Sequence, residues 1–419
     1  MKCITIAAAG TIAALLASAP ADAQTLDDAI AAALDTSPVL SAADARVDGA
    51  DARLTQARSA RFPQITARGQ YAEAETDFGG GRHDINPRSG IVAAEQLLFA
   101  GGRVWAAERQ ARAGREASEA ERDSVRAALI ADVADAYLGL AVSRRALTLR
   151  TSNLAALTTL AEHAQSRFDA GDIARSDLAQ AQARRAGAQA ALAQARADEA
   201  GAVARFRRVI GIEPSALVAA DTPPTTPATR EEALAAAQHA NAQLIALRQA
   251  ETAAAAGIWR AASQHAPTVS LSVEASSVRD EFLPGYRADG TALVARASVP
   301  LFTGGRVSGE VREARAALVE ARATRLAAER GVIEDVTRGF EYHQAAREAE
   351  AAARLQVDAS RTALQSIRDE ASVGQRPTID VLDAERDLLQ AELDLDRAHA
   401  MSIVSAYRLN ALIGREPHA

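Results

Sequence analysis

The chain is poor in the residues that carry most enzyme chemistry. It has one cysteine, Cys3, in 419 residues, so no disulfide and no thiolate metal cage forms within one chain. Its only lysine is Lys2. The glycine clusters Gly79-Gly80-Gly81 and Gly101-Gly102 lack the Gly-Lys-Ser/Thr of a phosphate-binding loop. The histidines (His83, His163, His239, His265, His343, His399, His418) are scattered, with no His-x-x-x-His pair. Zinc and Cys/His nucleophile sites are therefore unsupported. Among 54 acidic residues, carboxylate pairs on helices read as surface charge. The sequence implies no catalysis, no metal and no cofactor. A formal charge of −7 argues against nucleic acid as a partner. Aromatics make up only 4%, too few for one large core of bulky side chains. After the N-terminus no stretch approaches the ~18 apolar residues of a membrane-spanning helix.

What is present begins with a secretory signal. Lys2 gives the positive end, Ile4 to Ala17 the apolar segment, and Ala21-Asp22-Ala23 a small-residue cleavage site before Gln24. The apolar segment is shorter than the ~20 residues that span a bilayer, which disfavours an anchor. Cys3 precedes that segment, so it is no lipid-modified cysteine and leaves with the signal over residues 1–23. The hydrophobic fraction of 48% is dominated by alanine, which suits long helices packed closely through small side chains.

The chain also repeats itself. Leu98-Phe99-Ala100-Gly101-Gly102-Arg103-Val104 returns as Leu301-Phe302-Thr303-Gly304-Gly305-Arg306-Val307, an offset of 203 from Leu98 to Leu301. The same offset carries Gly171 onto Gly374, Asp177 onto Asp380, and Gly211, Glu213 and Pro214 onto Gly414, Glu416 and Pro417. Upstream it becomes 204, from Pro63 to Pro267. Two structural copies result, 24–214 and 230–419, joined by an irregular linker, 215–229, with Pro223, Pro224 and Pro227. Such internal symmetry suggests a ring or tube.

Each copy predicts a helix (about Leu26 to Ala60, and Arg230 to Gln264), two strands around a loop, the Leu-Phe-x-Gly-Gly signal and then long helices. The strands show period 2. Val269, Leu271, Val273 and Ala275 share one face, as do Leu293, Ala295, Ala297 and Val299, and Ile65, Ala67, Gly69 and Tyr71. Ile91 to Phe99 is the poorest, because Glu95 falls on the parity of Ile91 and Leu97. Any one segment also fits an ordinary two-sided sheet. Four such segments with polar, Gly-rich loops (Gly79 to Ser89, Arg279 to Gly290) fit outer-membrane strands. Four strands do not close a barrel, so closure must come from other subunits. Gly102 to Ala170 would give a helix on the order of 100 Å, the length of a tube rather than a globular domain. A soluble periplasmic coiled-coil adaptor or scaffold would also explain the signal and the helices, though not the paired strand segments.

With these features the chain resembles the TolC family of outer-membrane efflux and secretion channels. The resemblance covers nearly all of the mature chain and is most specific at the twin Leu-Phe-x-Gly-Gly signals and at Val373-Gly374-Gln375-Arg376-Pro377-Thr378-Ile379-Asp380-Val381-Leu382-Asp383-Ala384. It implies an α+β membrane protein: a long α-helical coiled-coil barrel plus four β-strands per protomer, contributing to a homotrimeric, twelve-stranded transmembrane β-barrel. It also implies a passive duct in the outer membrane, extending into the periplasm. The duct would work with a periplasmic adaptor and an inner-membrane pump, ABC-type or proton-driven. By the same resemblance, Asp380 and Asp383 line the pore constriction, and Arg376, Asp177 and Ser176 hold the gate. Gly171 and Gly374 form the tip turns where the adaptor docks, and Gly101, Gly102, Gly304 and Gly305 form the strand-to-helix junctions. The family's tyrosine latch falls at Ala371, so that hydrogen bond is missing. The twin signals and absent lipid cysteine point toward the secretion branch. The physics agrees with the constriction: carboxylates at i and i+3 share a helix face and would draw cations into a narrow pore. Solvated charge near a helix N-terminus is the plainer alternative.

Overall fold

The computed structural model describes residues 24–77, 82–220, 222–373 and 375–415. The expected signal with Cys3, Gly79 to Gly81 of the first hairpin loop, the tip glycine Gly374, and Glu416, Pro417 and His418 lie outside the described residues. The first copy holds α1 (Leu26–Thr36), α2 (Pro38–Ser59), β1 (Gln64–Tyr71), β2 (Ala74–Asp77), β3 (Arg82–Ile85), β4 (Arg88–Phe99), α3 (Arg103–Asp169) and α4 (Arg175–Ile210). The second holds α5 (Arg230–Ala240), α6 (Ala242–Ala262), β5 (Thr268–Arg279), β6 (Arg287–Ser298), α7 (Arg306–Ser372) and α8 (Thr378–Ile413). The copies agree to the residue where they matter most. The helices α3 and α7 each have 67 residues, and α4 and α8 each have 36.

The two expected leading helices are each broken. Pro38 has no N–H and forces Ser37 out of the helical region, to φ −68° and ψ 118°. In the second copy Asn241 takes the same conformation, φ −62° and ψ 119°. Its side chain accepts the Leu244 N–H at 3.0 Å and so caps α6. Its amide also donates to the Leu412 carbonyl at 2.7 Å.

The chain divides into two compact units, each drawing on both copies. One, residues 38–128, 224–345 and 405–415, contains the strands. Its main sheet is antiparallel in the order β1-β4-β5-β6, and β2 and β3 pair as a separate short hairpin. That hairpin is an addition to the four strands expected. Along one row of the main sheet the register aligns Ile65, Ala94, Val273 and Leu293, and along another Ala67, Val92, Ala275 and Thr291. The intervening rows align Gln64, Glu95, Ser272 and Val294, and Thr66, Ala93, Glu274 and Ala292. One face is thus apolar and the other mixed and polar. Ile65 is 75% exposed and Leu293 70%, so among the described residues nothing covers the apolar face at these positions. The register also resolves β4. Val92 and Ala94 face the apolar side and Glu95 the polar side, while a bulge between Leu97 and Phe99 shifts the parity so that Phe99 pairs with Val269. Among the helices of this unit, Ala233, Ala237, Leu244, Val332, Val336, Phe340, Leu409 and Ile413 form a buried cluster. On α3, Ala106, Ala113 and Ala120 are buried at a seven-residue spacing, a coiled-coil seam of small side chains.

The other unit, residues 24–37, 129–223 and 346–404, is helical. Tyr137 is fully buried, 6.4 Å from the Phe206 ring, and its hydroxyl lies 2.6 Å from the Gln24 carbonyl and 2.8 Å from that of Val218. Arg144 donates to the Ser215 carbonyl at 2.6 Å, and His399 Nε2 lies 3.2 Å from the Ala220 carbonyl. The first part of the linker is thus pinned by side chains acting on its main chain. Beneath it, Glu350 receives Ser402 Oγ at 2.5 Å, His399 Nδ1 at 2.9 Å and Arg354 at 2.5 Å.

Candidate functional site

The predicted site residues fall into two groups, one in each unit. In the helical unit α3 and α7 reverse into α4 and α8 through turns built alike. Gly171 sits at φ +83°, a conformation in which a Cβ would crowd the following carbonyl. The Asp172 N–H then reaches back to the Arg167 carbonyl at 2.9 Å. In the second copy the Gln375 N–H reaches the Glu370 carbonyl, also at 2.9 Å. The next turns match as well: Asp177 N–H to Ala174 and Asp380 N–H to Pro377, both 3.1 Å. Asp177 and Asp380 each occupy a first helical turn, where the exposed N–H groups favour a carboxylate.

The charges separate the copies. Arg376 Nε bonds Glu370 at 2.7 Å and Nη1 bonds Asp380 at 3.2 Å. Glu370 first, then Asp380, push the Arg376 pKa further up. Within the chain Arg376 therefore pairs inside its own copy, not with Asp177, whose neighbour Ser176 lies at 3.5 Å. Asp383 takes Arg184 Nη2 of α4 at 2.7 Å and Arg386 at 3.5 Å. Further along, Arg368 bonds Glu385 at 2.6 Å and Arg361 bonds Glu392 at 3.2 Å, both joining α7 to α8. Asp380 and Asp383 lie one turn apart on α8 with 33% and 42% of their side chains exposed. Leu157, Ala188 and Leu382 pack beneath them, with Ile379 alongside. A cavity of about 310 Å³ opens here, lined by Leu160, His163, Arg167, Asp177 and Ile379 among others.

Arg184 and Glu370 were not singled out from the sequence. The repeat itself held the signal: the offset of 203 sets Arg184 against Asp387 and Arg167 against Glu370. Opposite charges at equivalent positions mark where two copies have come to differ.

In the strand-bearing unit the junction glycines form a matched set. Gly101 and Gly102 have φ +57° and +82°, and Gly304 and Gly305 have +60° and +84°. The first helical bonds repeat too, Ala106 N–H to Gly102 and Gly309 N–H to Gly305, both 2.9 Å. Gly101 has a second constraint, because a Cβ there would fall 2.1 Å from that of Ala266.

The described residues hold no cluster fit for a metal ion, and no described helix is long and apolar enough to cross a membrane. The helical unit presents paired charges at its turns, and the strand-bearing unit presents an exposed apolar sheet face. A model of the outer membrane efflux protein family matches residues 29–212 and again 233–415. The chain is 30% identical to the outer membrane efflux protein BepC of Brucella suis, over 94% of this chain and 86% of that one. It is 28% identical to the outer membrane protein TolC of Vibrio cholerae, over 91% and 89%. In structure it resembles the Campylobacter jejuni CmeC outer membrane channel, with a TM-score of 0.81 at 14% identity, covering 93% of this chain and 85% of the other. The chain belongs to the outer membrane efflux protein family, and it is an outer-membrane channel protein rather than an enzyme or a soluble periplasmic scaffold.

Proposed function

We propose that the chain is the outer-membrane exit duct of a tripartite export system, closed as a homotrimer and gated at its helix turns. The observation that carries this reading is the four-stranded sheet whose outer strands, β1 and β6, end it on both sides. Its apolar face suits lipid, and unpaired N–H and C=O groups are not tolerated there. Three sheets joined edge to edge give a twelve-stranded barrel, within the range of outer-membrane barrels. The helices α3 and α7, about 100 Å each, continue the passage into the periplasm. The chain carries no phosphate-binding loop, so energy comes from an inner-membrane pump, ABC-type or proton-driven, through a periplasmic adaptor docked at the Gly171 and Gly374 turns. Asp380 and Asp383 form the constriction. Arg184, Arg376 and Arg386 neutralise them within the protomer while the passage is shut.

The test is single-channel recording of the purified protein in planar bilayers, comparing wild type with Asp380→Asn plus Asp383→Asn. A small cation-selective conductance is expected, with much of the selectivity lost in the double variant. Well-inserted protein without conductance would sink the channel reading. Conductance with unchanged selectivity would move the constriction away from these aspartates.

A further inference from the structure

We propose that a cleft just below the first strand-to-helix junction binds the phosphate of an anionic phospholipid in the periplasmic leaflet of the outer membrane. The cleft has a volume of about 400 Å³ and is lined by Arg61, Trp105, Glu108, Arg109 and Arg112, with Gln249 and Thr252 of α6 opposite. It lies entirely in the strand-bearing unit.

Three observations point to a ligand of this class. The first is charge. In a chain of net charge −7, Arg58, Arg61, Arg109 and Arg112 gather around two carboxylates, Glu108 and Glu116. Glu108 is buried and is shared by three of them: Arg58 at 3.3 Å, Arg112 at 3.0 Å, and Arg61 in close contact. Two carboxylates do not neutralise four guanidinium groups, so the cleft keeps positive charge, and Glu108 holds Arg58, Arg61 and Arg112 in place.

The second is Arg109. Its guanidinium carbon stands 5.4 Å from the centroid of the half-exposed Trp105 ring, and among the described residues it makes no ion pair. A planar cation resting on an indole, with its donors unused, is arranged to receive a phosphate in two-pronged fashion.

The third is position. Arg61 precedes β1 by three residues and Trp105 follows β4 by six. At 1.5 Å per residue, Trp105 to Arg112 lie within about 14 Å of the start of α3. The headgroup zone extends about 5–8 Å beyond the hydrocarbon on each side, and long arginine side chains reach toward it. Indole rings favour the same interface, and basic pockets between helices there suit acidic headgroups.

The purified oligomer, stripped of lipid, is offered phosphatidylglycerol or phosphatidylcholine in mixed micelles, and retained lipid is counted by native mass spectrometry. Wild type should prefer phosphatidylglycerol. Arg109→Gln should weaken that preference about fivefold, the factor matching ~1 kcal/mol for one basic residue at an anionic surface. Arg109→Lys should keep most of it. An unchanged preference in Arg109→Gln would overturn the proposal. So would displacement of the lipid by inorganic phosphate at millimolar concentration, which would make the ligand a free anion. If Arg109→Gln fails to assemble, wild type decides: raising salt from about 0.05 to about 0.5 M should erode the preference, and a salt-independent preference would refute the site.

Discussion

The helix turns of the two copies share a backbone and differ in charge. Matching main-chain bonds close both at 2.9 and 3.1 Å. Yet Arg167, Ile173, Gln180 and Arg184 stand where the second copy has Glu370, Arg376, Asp383 and Asp387. The difference continues up the helices, where Leu147, Ala193 and Arg196 correspond to Glu350, Asp396 and His399. The polar network around Glu350 therefore belongs to the second copy alone. Duplication kept what the main chain needs to reverse and let the side chains specialise. The first copy gives Arg184, and the second gives the carboxylate it holds.

The largest expected effect tests whether the copies are equivalent at their junctions. Gly101 and Gly304 have nearly the same φ, but only Gly101 faces another atom, with nothing within 4 Å of a Cβ at Gly304. Gly304→Ala should cost only the conformational strain, about 1–2 kcal/mol. Gly101→Ala should add overpacking against Ala266, about 1–3 kcal/mol more. Thermal unfolding of the two variants reads the difference, and equal midpoints would refute it.

The second test concerns the network the first copy lacks. Burial pushes Glu350 up, but Ser402, His399 and Arg354 outweigh it, leaving its pKa below the ordinary 4.5. Its stabilising contribution is thus present above pH 4.5 and lost as pH falls through the depressed value. Glu350→Gln should cost about 1.5–3 kcal/mol at neutral pH, and the gap to wild type should narrow in acid. Asp396 behaves oppositely, because burial raises it above 3.8 and Arg145 only partly offsets this. Its contribution is present below pH 3.8 and lost as pH rises through the raised value. Asp396→Asn should therefore stabilise at neutral pH and make no difference near pH 3. Denaturation curves across pH check both signs.

A third, of about 1 kcal/mol, sets the two helix breaks against each other. Asn241→Ala removes a cap and a bond to Leu412. The first break is imposed by Pro38, which has no N–H to give; the second rests on the Asn241 cap, so Asn241→Ala should lower the unfolding midpoint, and an unchanged midpoint would refute that role. The smallest expected effect is the coupling of Arg184 to Asp383 across the copies. Both are partly exposed, so a double-mutant cycle should give only about 0.2–1 kcal/mol. A coupling of zero would remove this bridge from the account of the shut state.

Much of this was legible in advance, for physical reasons. A duplication preserves spacing, so the 67- and 36-residue helices and their turns could be placed from the offset alone. Alternation revealed three strands cleanly. It misled at β4, because Gln96 interrupts the apolar face and the bulge near Leu98 reverses parity, and only the partner strand exposes that shift. The break at Asn241 was missed because a lone asparagine within an alanine-rich helix looks like surface, while its capping role depends on the turn that follows. The Arg184 to Asp383 pair joins residues 199 apart. No local pattern signals such a contact.

The two bare edges of the sheet have a consequence for inheritance as well as for assembly. A barrel shared by three chains, as proposed above, is only as sound as its worst seam. A protomer with a proline in β1 or β6 would still enter mixed assemblies and leave one joint unsealed. Expressed equally with wild type, such a protein would leave about one assembly in eight free of it. Edge mutations in this chain should therefore behave as dominant alleles, while mutations that stop a protomer from folding at all should be recessive.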